Sequence, residues 1–336
     1  MNKNIVWPAV GLVLWNGLFF LFGLWHALWW LGLLVSFGLI VLLADRVGEQ
    51  VPPRYRRRYE LTLAIGFPIL LLVVWELIVR AEILNPRWFP PPTRIAAALW
   101  DLTINYDEFN KTSLFGRPWL IPQTVAAEGW PAAMTLFTES HVLTTLWRVF
   151  VGFIIGAVPG IFVGMIMGMN KTIRIMLDGT MSAIYVLPKI AIFPIMMLIF
   201  ANPFGEGPKI AVVAISAFFL VAINTMAGVR DIDPVYMQAA TNYGANRLQL
   251  FRHVILPGAL PVIFAGLRLA LGTALIVIVA IEFVRARKGV GFVTFYYWEV
   301  LVTEKMYAGL FVVMGLGMFL TFGLQWIERK IMPWQR

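Results

Sequence analysis

The sequence predicts an all-α, polytopic helical membrane protein: about six core transmembrane helices, preceded by an N-terminal pair of extra hydrophobic helices. Three observations predict the class. Only 13% of the 336 residues are charged and 60% are hydrophobic, whereas a soluble domain averages about 25% charged residues. Apolar runs of about 18 residues or more recur, enough to cross a hydrocarbon core of about 30 Å. The polar intervals between them alternate so that most Arg and Lys fall on one side, as cytoplasmic loops require.

Composition also excludes several functions. Cysteine is absent, which removes disulfide frameworks and thiolate metal sites. The formal charge of +9 could suit nucleic acid, but no basic stretch is interleaved with exposed aromatics as single-strand binders require. The expected partner is the lipid bilayer, with no nucleic acid.

In chain order, residues 6–24 and 25–43 are apolar and read as two close spans or one re-entrant hairpin. The first is too long for a signal-peptide core and lacks a small-x-small cleavage site. A linker at 44–60 carries Arg46, Arg54, Arg56, Arg57 and Arg58 and is broken by Pro52-Pro53. Its charge places it, and the N-terminus, in the cytoplasm. Residues 1–60 are therefore expected to form a hydrophobic pair with a basic linker, and 61–336 the transmembrane domain. Its first span is 61–79, with Glu76 near the outer end. Residues 80–140 are expected outside: a rigid Pro90-Pro91-Pro92 turn, a short amphipathic helix at 94–102, and an extended insertion at 102–140 that shows no motif.

The span at 142–169 carries Gly152, Gly156, Gly160, Gly164 and Gly168 at every fourth position. On a helix they form one stripe, against which a neighbouring backbone can approach closely. Close contact within one subunit is the favoured reading; a helix that slides or hinges is the other. Pro159 is expected to kink this span. Lys171 and Arg174 mark a short inner loop, followed by spans at 183–201 and 210–229 joined by a turn rich in breakers. After a polar interval at 230–257 come a span at 259–283, an outer loop at 285–305 containing Gly289-Val290-Gly291, and a last span at 307–327. Arg329, Lys330 and Arg336 then put the C-terminus in the cytoplasm. Arg285, Arg287 and Lys288 are the departure from this charge rule, since the scheme leaves them outside.

No catalytic residue and no metal ligand set is assigned. The sequence has no GxxxxGK[ST] phosphate loop and no HExxH. Its three histidines, His26, His141 and His253, are far apart. Energy for any work must come from a partner.

The polar interval supplies the strongest motif. Gln238-Ala239-Ala240, three residues, Gly244, nine residues, then Val254-Ile255-Leu256-Pro257 resembles the EAA loop of binding-protein-dependent ABC importer permeases. Several other stretches resemble the nitrate/sulfonate/taurine branch of that family. They are Phe89-Pro90-Pro91-Pro92, Thr144 to Val149 leading into Gly152-Phe153, Leu187-Pro188-Lys189-Ile190-Ala191, Gly266-Leu267-Arg268, and Glu282 followed by Gly289-Val290-Gly291. The resemblance implies a permease in the bacterial cell inner membrane, forming the path for a small anion such as taurine, an alkanesulfonate or nitrate. It implies as partners a cytoplasmic ABC ATPase dimer that holds ATP and magnesium, a second permease copy, and a periplasmic or extracellular substrate-binding protein. No cofactor is expected on this chain itself.

The resemblance makes 230–257 a coupling loop, with Gln238, Ala239, Ala240, Gly244, Leu256 and Pro257 as its docking residues. Small alanines let a short helix lie in a cleft of the ATPase. Gly244 accepts backbone conformations closed to other residues, and Pro257 is expected to stop the second helix before the next span. Gln238 stands where glutamate is usual, so a charge-assisted contact is lost there. Lys189, Arg268 and Glu282 are ionisable residues within spans and hence candidates for the substrate pathway; Arg268 could instead pair with Glu282. Two competing classes are a secondary transporter, which would show inverted repeats, and a non-transporting membrane scaffold.

Overall fold

The computed structural model describes residues 3–107 and 112–335. The chain divides into two compact units, Met1–Ala97 and Ala98–Arg336. The first holds α1 (Lys3–Leu21), α2 (Trp25–Gln50) and α3 (Pro53–Arg80). α1 and α2 form a tight antiparallel pair around Gly23, whose φ of +63° suits glycine. Inside the pair, Asn16 Nδ2 donates to Ser36 Oγ at 3.0 Å, and Phe19 and Trp25 close over Gly32. The expected basic linker is mostly helical. α2 runs on to Gln50 and α3 restarts at Pro53, so the Pro52-Pro53 break is confined to two residues, with proline accepted in the first turn of α3. At the other end of α3, Glu76 accepts from the Thr93 amide (3.0 Å), the Thr93 hydroxyl (2.8 Å) and Arg80 (2.6 Å). It thereby satisfies an otherwise orphan amide at the start of α4 (Pro92–Ile104).

In the second unit, the insertion expected at 102–140 includes residues 108–111, which lie outside the described residues; its described part carries two short α-helices, α5 (Ile121–Glu128) and α6 (Trp130–Thr138). Arg117 pairs with Glu139 at 2.8 Å and lies 3.7 Å over the Tyr106 ring. α7 (His141–Met169) starts at a Ser140 cap, and its backbone stays helical through Pro159, where a kink was expected. α10 (Glu206–Arg230) lies between α7 and α13 (Leu256–Arg285), and these three helices carry the core.

The five-glycine stripe faces α10. A Cβ on Gly152 would lie 2.6 Å from Val213, one on Gly160 2.9 Å from the Phe218 carbonyl oxygen, and one on Gly168 2.5 Å from Val229. On Gly156 and Gly164 it would press onto the carbonyl oxygens of Ala214 and Ala222. The stripe therefore seats one helix of the chain on another.

Two expected features of the middle of the chain are corrected. Lys171 and Arg174 are not in a loop: they occupy the first turns of α8 (Lys171–Val186), which is capped by Asn170 Oδ1. The expected span at 183–201 is broken, because α8 and α9 (Lys189–Ile199) meet at 98°. Leu187 and Pro188 are extended, with ψ of 134° and 114°. A residue before proline avoids the helical region, and proline itself lacks the N–H a continuing helix needs.

The end of the chain also differs from expectation. α11 (Pro234–Asn242) and α12 (Arg247–Leu250) lie between α10 and α13. Pro257 does not stop a helix there. A π-turn at Phe251–Ile255 joins α12 to α13, with the Leu256 amide reaching back to Phe251. The apolar run is continuous over Arg247–Val284, since Pro257 stands in the first turn after the widened one and needs no donor. The loop expected at 285–305 contains α14 (Val290–Glu299), and α15 (Thr303–Ile331) is the last long helix. Among the described residues six helices are long and apolar enough to cross a membrane, or seven counting the bent pair. With α2 assigned to the N-terminal pair, the remainder are six.

Candidate functional site

Two sites stand at opposite ends of α10 and α13. At the Arg230 end, the segment 231–255 is a helical hairpin with its own closure. Asp233 Oδ1 caps α11 by accepting from the Val235 amide at 2.9 Å. At the other end of α11, Gly244 has φ +80°. Its amide donates to the Thr241 carbonyl (2.9 Å), and the Ala245 amide donates to the Ala240 carbonyl (3.0 Å). This pair of bonds is a Schellman motif, with glycine at the position that must be left-handed. Asn246 and Gln249 then form a reciprocal capping box that starts α12.

One side of the hairpin is anchored. Ile232, Met237, Leu250 and Phe251 pack on Val229, Ile255, Ala259 and Ile263 of α10 and the α12–α13 run. The other side is open. Gln238, Ala239 and Gly244 are exposed, and Ala240 is half-buried. Val235, Tyr236, Leu248 and above all Tyr243, 94% exposed, project apolar surface from an otherwise polar segment. Contiguous exposed apolar surface rimmed by polar groups is the mark of an interaction site. Leu256 and Pro257 are half-buried in the first turn of α13, so the structure places them in the shaft that carries the hairpin, apart from its crest.

At the Glu206 end of α10 lies an ion network that the sequence reading did not assemble, buried at Arg148, Lys209 and Glu282 and open to solvent at Glu206. Arg148 of α7 is 2% exposed and Glu282 of α13 is fully buried. Arg148 Nη1 donates to Glu282 Oε1 at 2.7 Å and to the Lys288 carbonyl oxygen at 2.7 Å. Its Nε and Nη2 grip both carboxylate oxygens of Glu206, which also accepts from Lys209 Nζ at 3.0 Å. Glu282 is completed by the Thr145 hydroxyl at 3.0 Å and the Gly291 amide at 2.9 Å. The Gly289 and Val290 amides donate to His141 Nδ1 and Thr145 Oγ1.

This geometry explains Gly289-Val290-Gly291. Gly289 has φ +125°, and a Cβ there would lie on the Glu282 carboxylate; one on Gly291 would lie 2.6 Å from the Val279 carbonyl oxygen. The backbone can wrap the carboxylate only without side chains. Two cations and two carboxylates balance, and every charged group is hydrogen-bonded, the condition under which buried charge is tolerated.

The three residues expected together in a pathway are not brought together. Glu282 belongs to this network. Arg268 pairs with Glu328 of α15 at 2.5 Å, not with Glu282. Lys189 folds back on α8, where its Nζ donates to the carbonyl oxygens of Leu187 (3.0 Å) and Tyr185. It closes the orphan carbonyls at the end of that helix. The residues that sequence reasoning missed are Arg148, Glu206 and Lys209. The available signal was Arg148 itself, a charge inside an apolar run.

Comparison with known proteins agrees with this architecture. The family model described as "Binding-protein-dependent transport system inner membrane component" matches residues 160–333. The taurine transport system permease protein TauC of Escherichia coli (strain K12) is 32% identical over 275 residues, covering 82% of this chain and 90% of TauC. The putative aliphatic sulfonates transport permease protein SsuC of Bacillus subtilis (strain 168) is 27% identical, covering 83% and 90%. The nitrate import permease protein NrtB of Synechococcus elongatus is 26% identical, covering 80% and 88%. Among solved structures, an inward-facing MetNI methionine ABC transporter superposes with a TM-score of 0.52 at 21% identity, covering 57% of this chain and 94% of that one. That likeness concerns the fold alone.

Proposed function

The chain belongs to the family of binding-protein-dependent inner membrane transport components, and from that premise we propose how it works and what it carries. It is a multi-pass permease subunit of an ABC importer, in the nitrate/sulfonate/taurine branch. In the proposed reading, it forms the translocation pathway for a small anion such as taurine, an alkanesulfonate or nitrate. Relatives named for taurine, sulfonates and nitrate support this class.

The observation that carries the mechanism is the hairpin at 231–255. Its ends are closed by internal caps, its inner side is packed on α10 and α13, and its crest of Ala239, Tyr243 and Leu248 is exposed. A rigid, anchored, partly apolar crest suits docking into a cleft of a cytoplasmic ABC ATPase dimer, where ATP and magnesium are held. Because α12 runs unbroken into α13, a push on the crest moves a core span as one body. In this reading residues 230–257 and both termini are cytoplasmic, as the excess of Arg and Lys in the linker at 44–60 and after the last span supports. The permease domain then spans 61–336, with 102–140 outside, after the N-terminal pair and linker at 1–60. A second permease copy and an external substrate-binding protein complete the assembly.

The test is Gly244→Asp. A side chain at φ +80° strains the turn by about 1 kcal/mol, and the carboxylate puts a charge on the crest. The expected outcome is an intact membrane-inserted permease that no longer co-purifies with its ATPase. Undiminished co-purification and ATP-dependent uptake would sink the docking reading.

A further inference from the structure

Arg287 and Lys288 lie at the Glu206 end of the core helices, opposite the hairpin. If the hairpin is cytoplasmic, they are external, where retention of positive charge in the cytoplasm gives no reason for them. They line a cavity of about 780 Å³, together with Arg148, Lys209, Asn202 and Glu206. The volume is within the range of about 300–1,000 Å³ usual for small-molecule sites.

The charges around it are unevenly satisfied. Glu206 is the one carboxylate on the wall, and both its oxygens are taken, by Arg148 and Lys209. Arg148 is further neutralised from behind by Glu282. Neither Arg287 nor Lys288 has a carboxylate within salt-bridge reach among the described residues. Lys288 Nζ donates to the Thr138 carbonyl at 3.3 Å, and Arg287 is exposed. The wall thus offers two uncompensated cations and no free carboxylate. With Arg148, Lys209, Arg287 and Lys288 against Glu206, the wall is net positive and attracts an anion.

We propose that this cavity is an outer receiving site for a small organic oxyanion of sulfonate or carboxylate type, held by Arg287 and Lys288. The proposal rests on the importer reading for which end faces out. A guanidinium matches the paired oxygens of such a head group, and an ammonium supplies a point charge beside it. The buried Arg148 network behind them keeps the wall in place.

The test uses the permease purified in complex with its ATPase. Radiolabelled ethanesulfonate is the probe and ethylammonium the control, read by scintillation proximity. Ethanesulfonate is expected to bind and ethylammonium not to. Arg287→Gln with Lys288→Gln should weaken ethanesulfonate binding about tenfold or more, and flatten its loss with rising salt. Arg287→Lys should retain most of the affinity, and Arg174→Gln, distant in the fold, all of it. ATPase co-purification in the same preparations tests the importer reading separately. A normal complex that binds no ethanesulfonate, or binds it equally after both neutralisations, overturns the cavity proposal alone. A double variant that binds ethanesulfonate normally but no longer captures the substrate-binding protein also overturns it, in favour of a protein-docking lip.

Discussion

Replacing Arg148 by methionine leaves Glu282 fully buried with its carboxylate facing only the Thr145 hydroxyl and the Gly291 amide. It also removes the two-pronged clamp on Glu206 and the donor to the Lys288 carbonyl. Breaking one partner of a buried pair costs about 3–5 kcal/mol, because the remaining charge is uncompensated. Glu282→Gln is milder. The amide keeps an acceptor for Gly291, and Arg148 keeps Glu206, so about 1–3 kcal/mol is expected. The double variant no longer buries a lone carboxylate. It should be less destabilised than the sum of the singles by about 1–3 kcal/mol. Equilibrium unfolding of the purified protein in one detergent, followed by circular dichroism, measures all four corners of the cycle. The reasoning fails if Arg148→Met lies within about 1 kcal/mol of the parent, or if the two changes are additive.

Two further outcomes follow from close contacts. Gly164→Leu drives a side chain into the Ala222 carbonyl and Thr225; α7 and α10 must separate, and most of the protein should be lost from the monodisperse peak in size-exclusion chromatography. Gly289→Ala places a methyl on the Glu282 carboxylate at φ +125°; it should destabilise by about 2 kcal/mol or more, and combination with Glu282→Ala should recover part of the loss.

The sequence spoke clearly where a local period reports a face. Glycine at every fourth position named the side of α7 that meets α10 before any partner was known. The hairpin was legible for the same reason: Gly244 and the polar interval are local signals of a turn between helices. Direction was not legible. Hydropathy averages over a window, so the right-angled bend at Leu187-Pro188 vanished into an apolar run, although the proline was in plain view. Pro257 misled in the opposite sense, because a π-turn upstream removes the clash that makes proline a helix stop. The ion network was hidden by distance. Arg148 finds Glu206 58 positions away and Glu282 134 positions away, and nothing in one sequence pairs them. Lys189 and Arg268 were pathway candidates on depth, with pairing or snorkelling as the alternatives; their partners, the carbonyls at the end of α8 and the Glu328 carboxylate, are not legible from depth.

The central claim, that the crest of the 231–255 hairpin meets the ATPase, can be tested directly because the chain has no cysteine. A single Ala239→Cys variant carrying a short photo-crosslinker should attach to the ATPase chain, while the same probe at Phe204→Cys, at the far end of the core helices, should not. Attachment from Phe204→Cys with none from Ala239→Cys would contradict the account.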